Sequence, residues 1–289
     1  MNPRDPQARP WVLVTGCSTG IGRALVSTCR AAGWGVVATA RSLQSLEDLA
    51  PGPDLRRLAL DVTSPAAIAA AVADCAGLRL VALINNAGYG QMGPLEYLQV
   101  AELRAQFETN VLGLHAVTQA FLPVIRSCAR PGEGRIFQVA SVLGRMNVPC
   151  AGAYCASKHA VVALGETLRL ELAPEIRVTL VEPGAIRSEF RETLARELGA
   201  LQGRVRGTRF EPLLAGYLAR QRAHGQDHGL DAQACAQRIT AALIRKRPPR
   251  RLVIGTDARW ASLGKALLPA GLWEWAVRRA FGMKPERSR

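Results

Sequence analysis

An α/β fold built on a doubly wound parallel sheet is predicted by three features of this sequence. Short apolar runs of strand type alternate with helix-length stretches along most of the 289 residues. A glycine-rich turn joins the first run to the first helix. Polar residues stand at the carboxyl ends of the runs, where open α/β sheets bind ligands. Residues 11–15 form the first strand, and Gly16, Gly20 and Gly22 precede a helical pattern that begins at Arg23. Residues 35–40 are the second strand, ending at Arg41, and 56–60 the third, capped by Asp61. The alanine-rich 65–75 is a helix, and 81–84 a fourth strand that enters Asn85-Asn-Ala-Gly88. A long helix is predicted over 100–128 with a bend at Pro123. Residues 134–140 are the fifth strand, with Ser141 at its end, and 153–172 the helix that carries Tyr154 and Lys158. Strands 176–181 and 251–254 complete the sheet. Gly16, Arg41, Asp61, Asn86, Ser141 and Pro183 thus all fall at carboxyl ends.

Composition agrees with one such domain. Hydrophobic residues make up 48% of the chain, ample for a core. Residues 1–10 are polar and proline-rich and read as a flexible N-terminus without a signal peptide. No run reaches the length of about 18 apolar residues expected of a spanning helix. The seven cysteines are scattered and form no CxxC, which predicts reduced thiols and a cytoplasmic protein. Cys17 and Cys155 read as small apolar filling. Net charge is +14 with a pI near 10.4. The excess is dispersed arginine, densest over 245–251, without aromatic interleaving, so no nucleic-acid partner is expected.

The chemistry lies in four residue groups. Strand, glycine turn and helix aim backbone N–H groups and a positive helix end at a pyrophosphate, the arrangement of a Rossmann-type fold. Here the spacing is G-x-x-x-G-x-G. Tyr154 and Lys158 stand four apart on one helix face. An ammonium beside a phenol favours the phenolate, so the Tyr154 pKa is expected below its ordinary value of about 10. At the end of the second strand Arg41 replaces the acidic residue that would hydrogen-bond a ribose hydroxyl and repel a 2′-phosphate. That points to NADP(H), with Arg41 and Ser18 on the phosphate.

Taken together, Thr15–Gly22 (TGCSTGIG), Asn85–Gly88, Asn110, Ser141, Tyr154-Cys-Ala-Ser-Lys158 and Pro183-Gly184 resemble the motif set of the short-chain dehydrogenase/reductase family. They occur in that family's order over about residues 12–188. The resemblance implies a carbonyl–alcohol oxidoreductase. Tyr154 would be the general acid/base, Lys158 would hold the nicotinamide ribose, and Ser141 would polarise the substrate oxygen. Asn110 would distort its helix and bind a relay water. Gly16 and Gly20 would lie at the pyrophosphate, Ser18, Thr19 and Ile21 would be further cofactor contacts of the same turn, and Asp61 and Val62 would lie at the adenine. Asn86, Ala87 and Gly88 would pass the adenosine side. Pro183, Gly184, Ile186 and Ser188 would fix the carboxamide. A homodimer through the helices of Asn110 and Tyr154 is also implied, and the alternatives are a non-catalytic NADP(H)-binding regulator or a reductase of a different small carbonyl substrate.

Residues 86–96 and 38–42 resemble the 17β-hydroxysteroid and retinol dehydrogenase-like branch, which implies an apolar alcohol or carbonyl substrate. Val142, Leu143, Met146, Val148 and Phe190 form the candidate pocket wall. Arg145 and Arg187 read as solvent-facing charge, with an acidic substrate group as the alternative. Residues 187–230 are arginine-rich, low in strand signal and expected to form a substrate lid over the catalytic domain, 11–256. Gly225 and Gly229 argue against the helix that a metal site from His224 and His228 would need. In the extension 257–289, Trp260, Trp273 and Trp275 mix with leucines, Lys265, Arg278 and Arg279, a candidate for peripheral membrane contact. Packing over the lid or a second subunit is the favoured reading. Pro269 and Gly271 divide it into two short helices.

Overall fold

The structure is a computed structural model that describes residues 9–187, 201–227 and 229–283. Its strands are Trp11–Val14 (β1), Gly35–Ala40 (β2), Leu55–Ala59 (β3), Leu80–Asn85 (β4), Gly134–Val139 (β5), Ile176–Pro183 (β6), Ile186–Arg187 (β7), Leu230–Asp231 (β8) and Arg251–Ile254 (β9). Seven of them form one parallel sheet in the order β3-β2-β1-β4-β5-β6-β9. The order reverses between β1 and β4, so the carboxyl ends on either side of that point diverge and leave a crevice.

Helices cover both faces, which is why β1, β2, β4 and β5 are buried along their whole length. Side chains alternate: Val12 and Val14 join Leu25 and Val26 of α1 (Gly20–Ala31), while Leu13 points into the opposite core. That second core takes Ile68 from α2 (Pro65–Asp74) and Val117, Phe121 and Ile125 from α4 (Leu114–Cys128), which follows α3 (Val100–Phe107). The β3 edge stays partly open and carries exposed Arg56 and Arg57, charges that discourage edge-to-edge pairing. Pro65 at the first position of α2 lacks only an N–H with no helical partner, and Ser64 accepts from Ala67 N at 3.2 Å.

The stretch 100–128 is not one α-helix bent at Pro123. Pro123 sits inside α4, and the irregularity is a π-helical turn at Glu108–Gly113, around Asn110. Close approach favours this turn: a Cβ at Gly113 would lie 2.8 Å from the Val62 carbonyl oxygen. Against expectation, 100–128 is long and apolar enough by composition to cross a membrane, yet its inner side chains pack on the sheet.

After α5 (Gly152–Leu172) and β6, the lid region begins and ends on strands that its composition did not reveal. β7 and β8 pair in parallel, Ile186 with Leu230 and Arg187 with Asp231. Between them α6 (Glu211–Asp227) runs through His224 and Gly225, so that glycine does not stop the helix. His228 lies outside the described residues. Among the described residues no metal-ligating cluster occurs. Asp231 caps α7 (Ala232–Leu243) by accepting from Gln233 N, and α7 packs on α1 through the 2.8 Å Thr28–Thr240 hydroxyl contact. The extension forms α8 (Thr256–Leu267) and α9 (Ala270–Ala280), divided at Leu268-Pro269.

Candidate active site

The glycine turn is stapled from below. Thr15 Oγ1 accepts from the backbone N–H of Asn86 and of Ala87, each at 2.9 Å. Asn86 Nδ2 returns bonds to the Thr15 and Gly16 carbonyls at 2.9 and 3.0 Å. Gly16 has φ +71°, and a Cβ there would lie 2.8 Å from Ala87 Cα. A Cβ at Gly22 would overlap the Gly16 carbonyl. These glycines therefore let β1, α1 and the loop after β4 meet at the crevice. At the start of α1 the Thr19 side chain makes no capping bond and the first turn holds no acid. Its N–H groups and positive end remain for an anion, so the turn fits a pyrophosphate. Ser18 and Thr19 are exposed there, and Ile21 packs on the core.

At the end of β2, Arg41 is exposed and in no ion pair among the described residues. Asp61 accepts from Thr63 N and Oγ1 at 2.9 and 2.7 Å, which with the nearby Arg41 charge holds its carboxyl below the usual range. Val62 beside it is buried. Gly88 lies away from this side: a Cβ there would be 3.0 Å from Asn110 Oδ1 and 3.8 Å from Lys158 Nζ.

The candidate reacting groups converge from three elements. Lys158 Nζ lies 5.7 Å from the Tyr154 ring centre and donates to the Val139 carbonyl at 2.8 Å. Tyr154 does not have the lowered pKa that its spacing predicts. Desolvation pushes the phenol up to about 12, against the opposing effect of a hydrogen bond with Ser141. Lys158 is buried, Tyr154 partly so, and desolvation brings the Lys158 ammonium down to about 8. Both charged forms are disfavoured, and burial outweighs proximity. Ser141 Oγ accepts from Leu143 N at 3.1 Å, which aims the hydroxyl from the end of β5.

Asn110 is fully buried, not exposed as an interior helix Asn commonly is. Its Nδ2 donates to the Tyr89 carbonyl (2.9 Å) and Ser157 Oγ (3.2 Å), and its Oδ1 accepts from Tyr89 N (3.1 Å). Ser157, inside the Tyr–Lys motif, was not singled out by spacing. It links the π-turn to α5.

On the far side, Pro183 ends β6, and a Cβ at Gly184 would overlap the Asp257 carboxylate. Asp257 Oδ2 accepts from Ala185 N at 2.8 Å, so the extension holds this loop. Ile186 begins β7, and Ser188 and Phe190 lie outside the described residues. Arg145 meets neither sequence reading. It pairs with Glu166 and with fully buried Glu182, which Arg251 also holds. Arg187 is exposed, as expected.

Of the proposed wall, Leu143 and Val148 share an apolar cluster with Tyr154, while Val142 is buried elsewhere and Met146 half-buried. The same cluster contains Met92, Leu201, Leu214 and Tyr217, with Phe281 from the end of the extension. Neither Tyr217 nor Phe281 could be assigned to the site by sequence spacing. Cys17 and Cys155 are buried and desolvation raises both thiols, in keeping with a packing role.

Residues 10–199 match the short chain dehydrogenase family. The chain is 36% identical over 187 residues to an uncharacterized oxidoreductase, YbbO, of Escherichia coli strain K12, covering 63% of this chain and 68% of that one. It is 32% identical to retinol dehydrogenase 16 of Rattus norvegicus, covering 96% and 90%, and 32% identical to human 11-beta-hydroxysteroid dehydrogenase type 2, covering 93% and 70%. A crystal structure of a short chain dehydrogenase from Burkholderia cenocepacia in complex with NADP is 25% identical, covers 95% of this chain and 98% of that one, and has a TM-score of 0.72.

Proposed function

The chain belongs to the short-chain dehydrogenase/reductase family, in its steroid- and retinol-dehydrogenase-like branch, and on that premise we propose that it is an NADP(H)-dependent carbonyl–alcohol oxidoreductase acting on an apolar substrate. The observation that carries this reading is Tyr154. It is hydrogen-bonded to Ser141, stands one turn from Lys158, and belongs to the apolar cluster of Leu143, Val148 and Tyr217. When bound, NADPH supplies the hydride. With its pKa near 12, Tyr154 keeps its proton at neutral pH, the form that a carbonyl reduction needs from its acid. Ser141 stabilises the charge that develops on the same oxygen. Lys158 contributes positive charge beneath the phenol and holds the nicotinamide ribose, while Asn110 fixes the Tyr89 segment beside them.

NADP(H) is supported by the uncapped start of α1, by Arg41 in place of an acid, and by the NADP-bound relative. The glycine residues, Asp61, Val62 and the Pro183–Ile186 loop are the remaining contacts proposed for the cofactor, and Ser188 retains its place by motif alone. Residues 187–230 act as the substrate lid, a role that the packing of Leu201 and Tyr217 beside Tyr154 supports. The retinoid or steroid class of substrate draws on the relatives' names and the apolar cluster. Exposed Leu112, Leu164 and Leu170, on the π-turn and α5, support a homodimer through those elements.

The test is NADPH consumption against a panel of apolar ketones and aldehydes, with Tyr154→Phe beside the wild type. The expected result is turnover on a panel member that falls by at least about a thousandfold in the variant, with NADPH binding retained. Equal turnover by the variant refutes Tyr154 as the acid, and a lower KM for NADH than for NADPH refutes the cofactor.

A further inference from the structure

We propose that the α8–α9 hairpin docks the enzyme on an anionic membrane surface. Trp260, Leu263 and Leu267 recur at helical spacing on α8, Leu272 and Trp275 on α9, and Leu268 joins them. All are exposed: Trp260 is 73%, Leu267 72%, Leu272 56% and Trp275 55% accessible. By contrast, Trp11 in β1 is 3% accessible. Two tryptophans open to water on one hairpin, with four exposed leucines, exceed what scattered surface apolar residues require.

The hairpin is nevertheless anchored. Phe281, just after α9, stacks on Tyr217 of α6 with ring centres 6.4 Å apart, and Arg220 Cζ lies 4.9 Å from the centre of the same Phe281 ring. Trp273 turns inward against Gly264. The hairpin is therefore tied to the lid helix at its end, through Phe281, while its exposed tryptophans and leucines are left to solvent.

Charge selects the occupant. Arg259, Lys265 and Arg279 are exposed around the apolar residues, with Lys265 over the Trp273 ring and Arg279 over Trp275. The hairpin's two acids are engaged elsewhere, Asp257 on Ala185 N and Glu274 with Arg278 at 3.5 Å. The whole chain carries +14. A two-fold contact between copies through this face would set the same cations against each other, an unfavourable juxtaposition. Anionic headgroups neutralise them instead, while indole rings and leucines enter the headgroup–acyl boundary.

The experiment is flotation of the full chain with vesicles of phosphatidylcholine alone and of phosphatidylcholine with phosphatidylglycerol. Wild type is expected to float with the anionic vesicles and release in high salt. A Trp260→Ala, Leu267→Ala, Trp275→Ala variant should stay below. Arg259→Gln with Arg279→Gln, which leaves the apolar packing alone, should weaken partitioning roughly fivefold per cation, about 25-fold together. NADPH binding and circular dichroism show that each variant is folded, and vesicle binding is read without turnover. Wild type that ignores anionic vesicles, or an arginine variant that floats as well as wild type, overturns the proposal. So does a change from dimer to monomer in the triple-alanine variant by sedimentation, which would make the patch a subunit interface.

Discussion

Replacing Thr15 by Val tests the link between the glycine turn and the loop after β4. Val has nearly the same shape and the site is 1% accessible, so packing is preserved and only the hydroxyl is lost. That hydroxyl is the acceptor for two backbone N–H groups, Asn86 and Ala87, both at 2.9 Å. An orphaned buried donor costs about 1–3 kcal/mol. Both donors are only half-buried, so the lower end applies, and the sum is about 2–3 kcal/mol. The Asn86 side-chain bonds to Thr15 and Gly16 remain, which keeps the loop in place and confines the loss to stability and cofactor affinity. In urea denaturation, an m-value of about 2–3 kcal/mol/M makes this a midpoint lower by about 1 M. Thr15→Ser retains the acceptor and gives up one methyl group, about 1 kcal/mol. A Val variant no less stable than the Ser variant refutes the argument that these two bonds staple the crevice.

Gly22→Ala puts a methyl group onto the Gly16 carbonyl, so NADPH affinity should fall by at least about tenfold, read by quenching of tryptophan fluorescence; unchanged affinity contradicts the close approach. Arg41→Ala removes a charged donor worth about 1.5–3 kcal/mol, and KM for NADPH is expected to rise roughly 10- to 100-fold with KM for NADH unmoved. An equal change for both cofactors would mean that Arg41 does not discriminate. Lys158 gives a pH test. Its folded pKa, about 8, lies below its ordinary 10.5, so the unfolded chain binds the extra proton between those values. The cost of the buried ammonium is fully present below pH 8 and is relieved as pH rises. Buried thiols such as Cys17 and Cys75, raised to about 12, act in the opposite sense above their ordinary 9.0. The stability of wild type relative to Lys158→Met cancels them, and it should rise from pH 8 to 10. A flat difference refutes the lowered pKa.

Sequence determined what depends on local pattern. Apolar runs of strand length separated by helix-length stretches are enough for a parallel sheet, because such strands are covered on both faces and need no alternation. The glycines between β1 and α1, the missing acid after β2, and the Tyr–Lys spacing were legible because each rests on a few neighbouring residues. The break in the helix at 108–113 was legible only through the motif resemblance, which implies a distortion at Asn110, since an Asn within a helical pattern carries no sign by itself of the contacts that bury it. Those contacts come from Tyr89 and Ser157. Only the tertiary structure decided the Tyr154 ionisation: spacing reports the nearby ammonium, while desolvation is summed over everything packed around the pair, and here it wins. It also gave Arg145 its partners Glu166 and Glu182, brought Asp257 onto the Gly184 loop, and set Phe281 against the lid. Each of these joins residues far apart in the chain, and no local periodicity records which distant side chain will fill a gap or accept a bond.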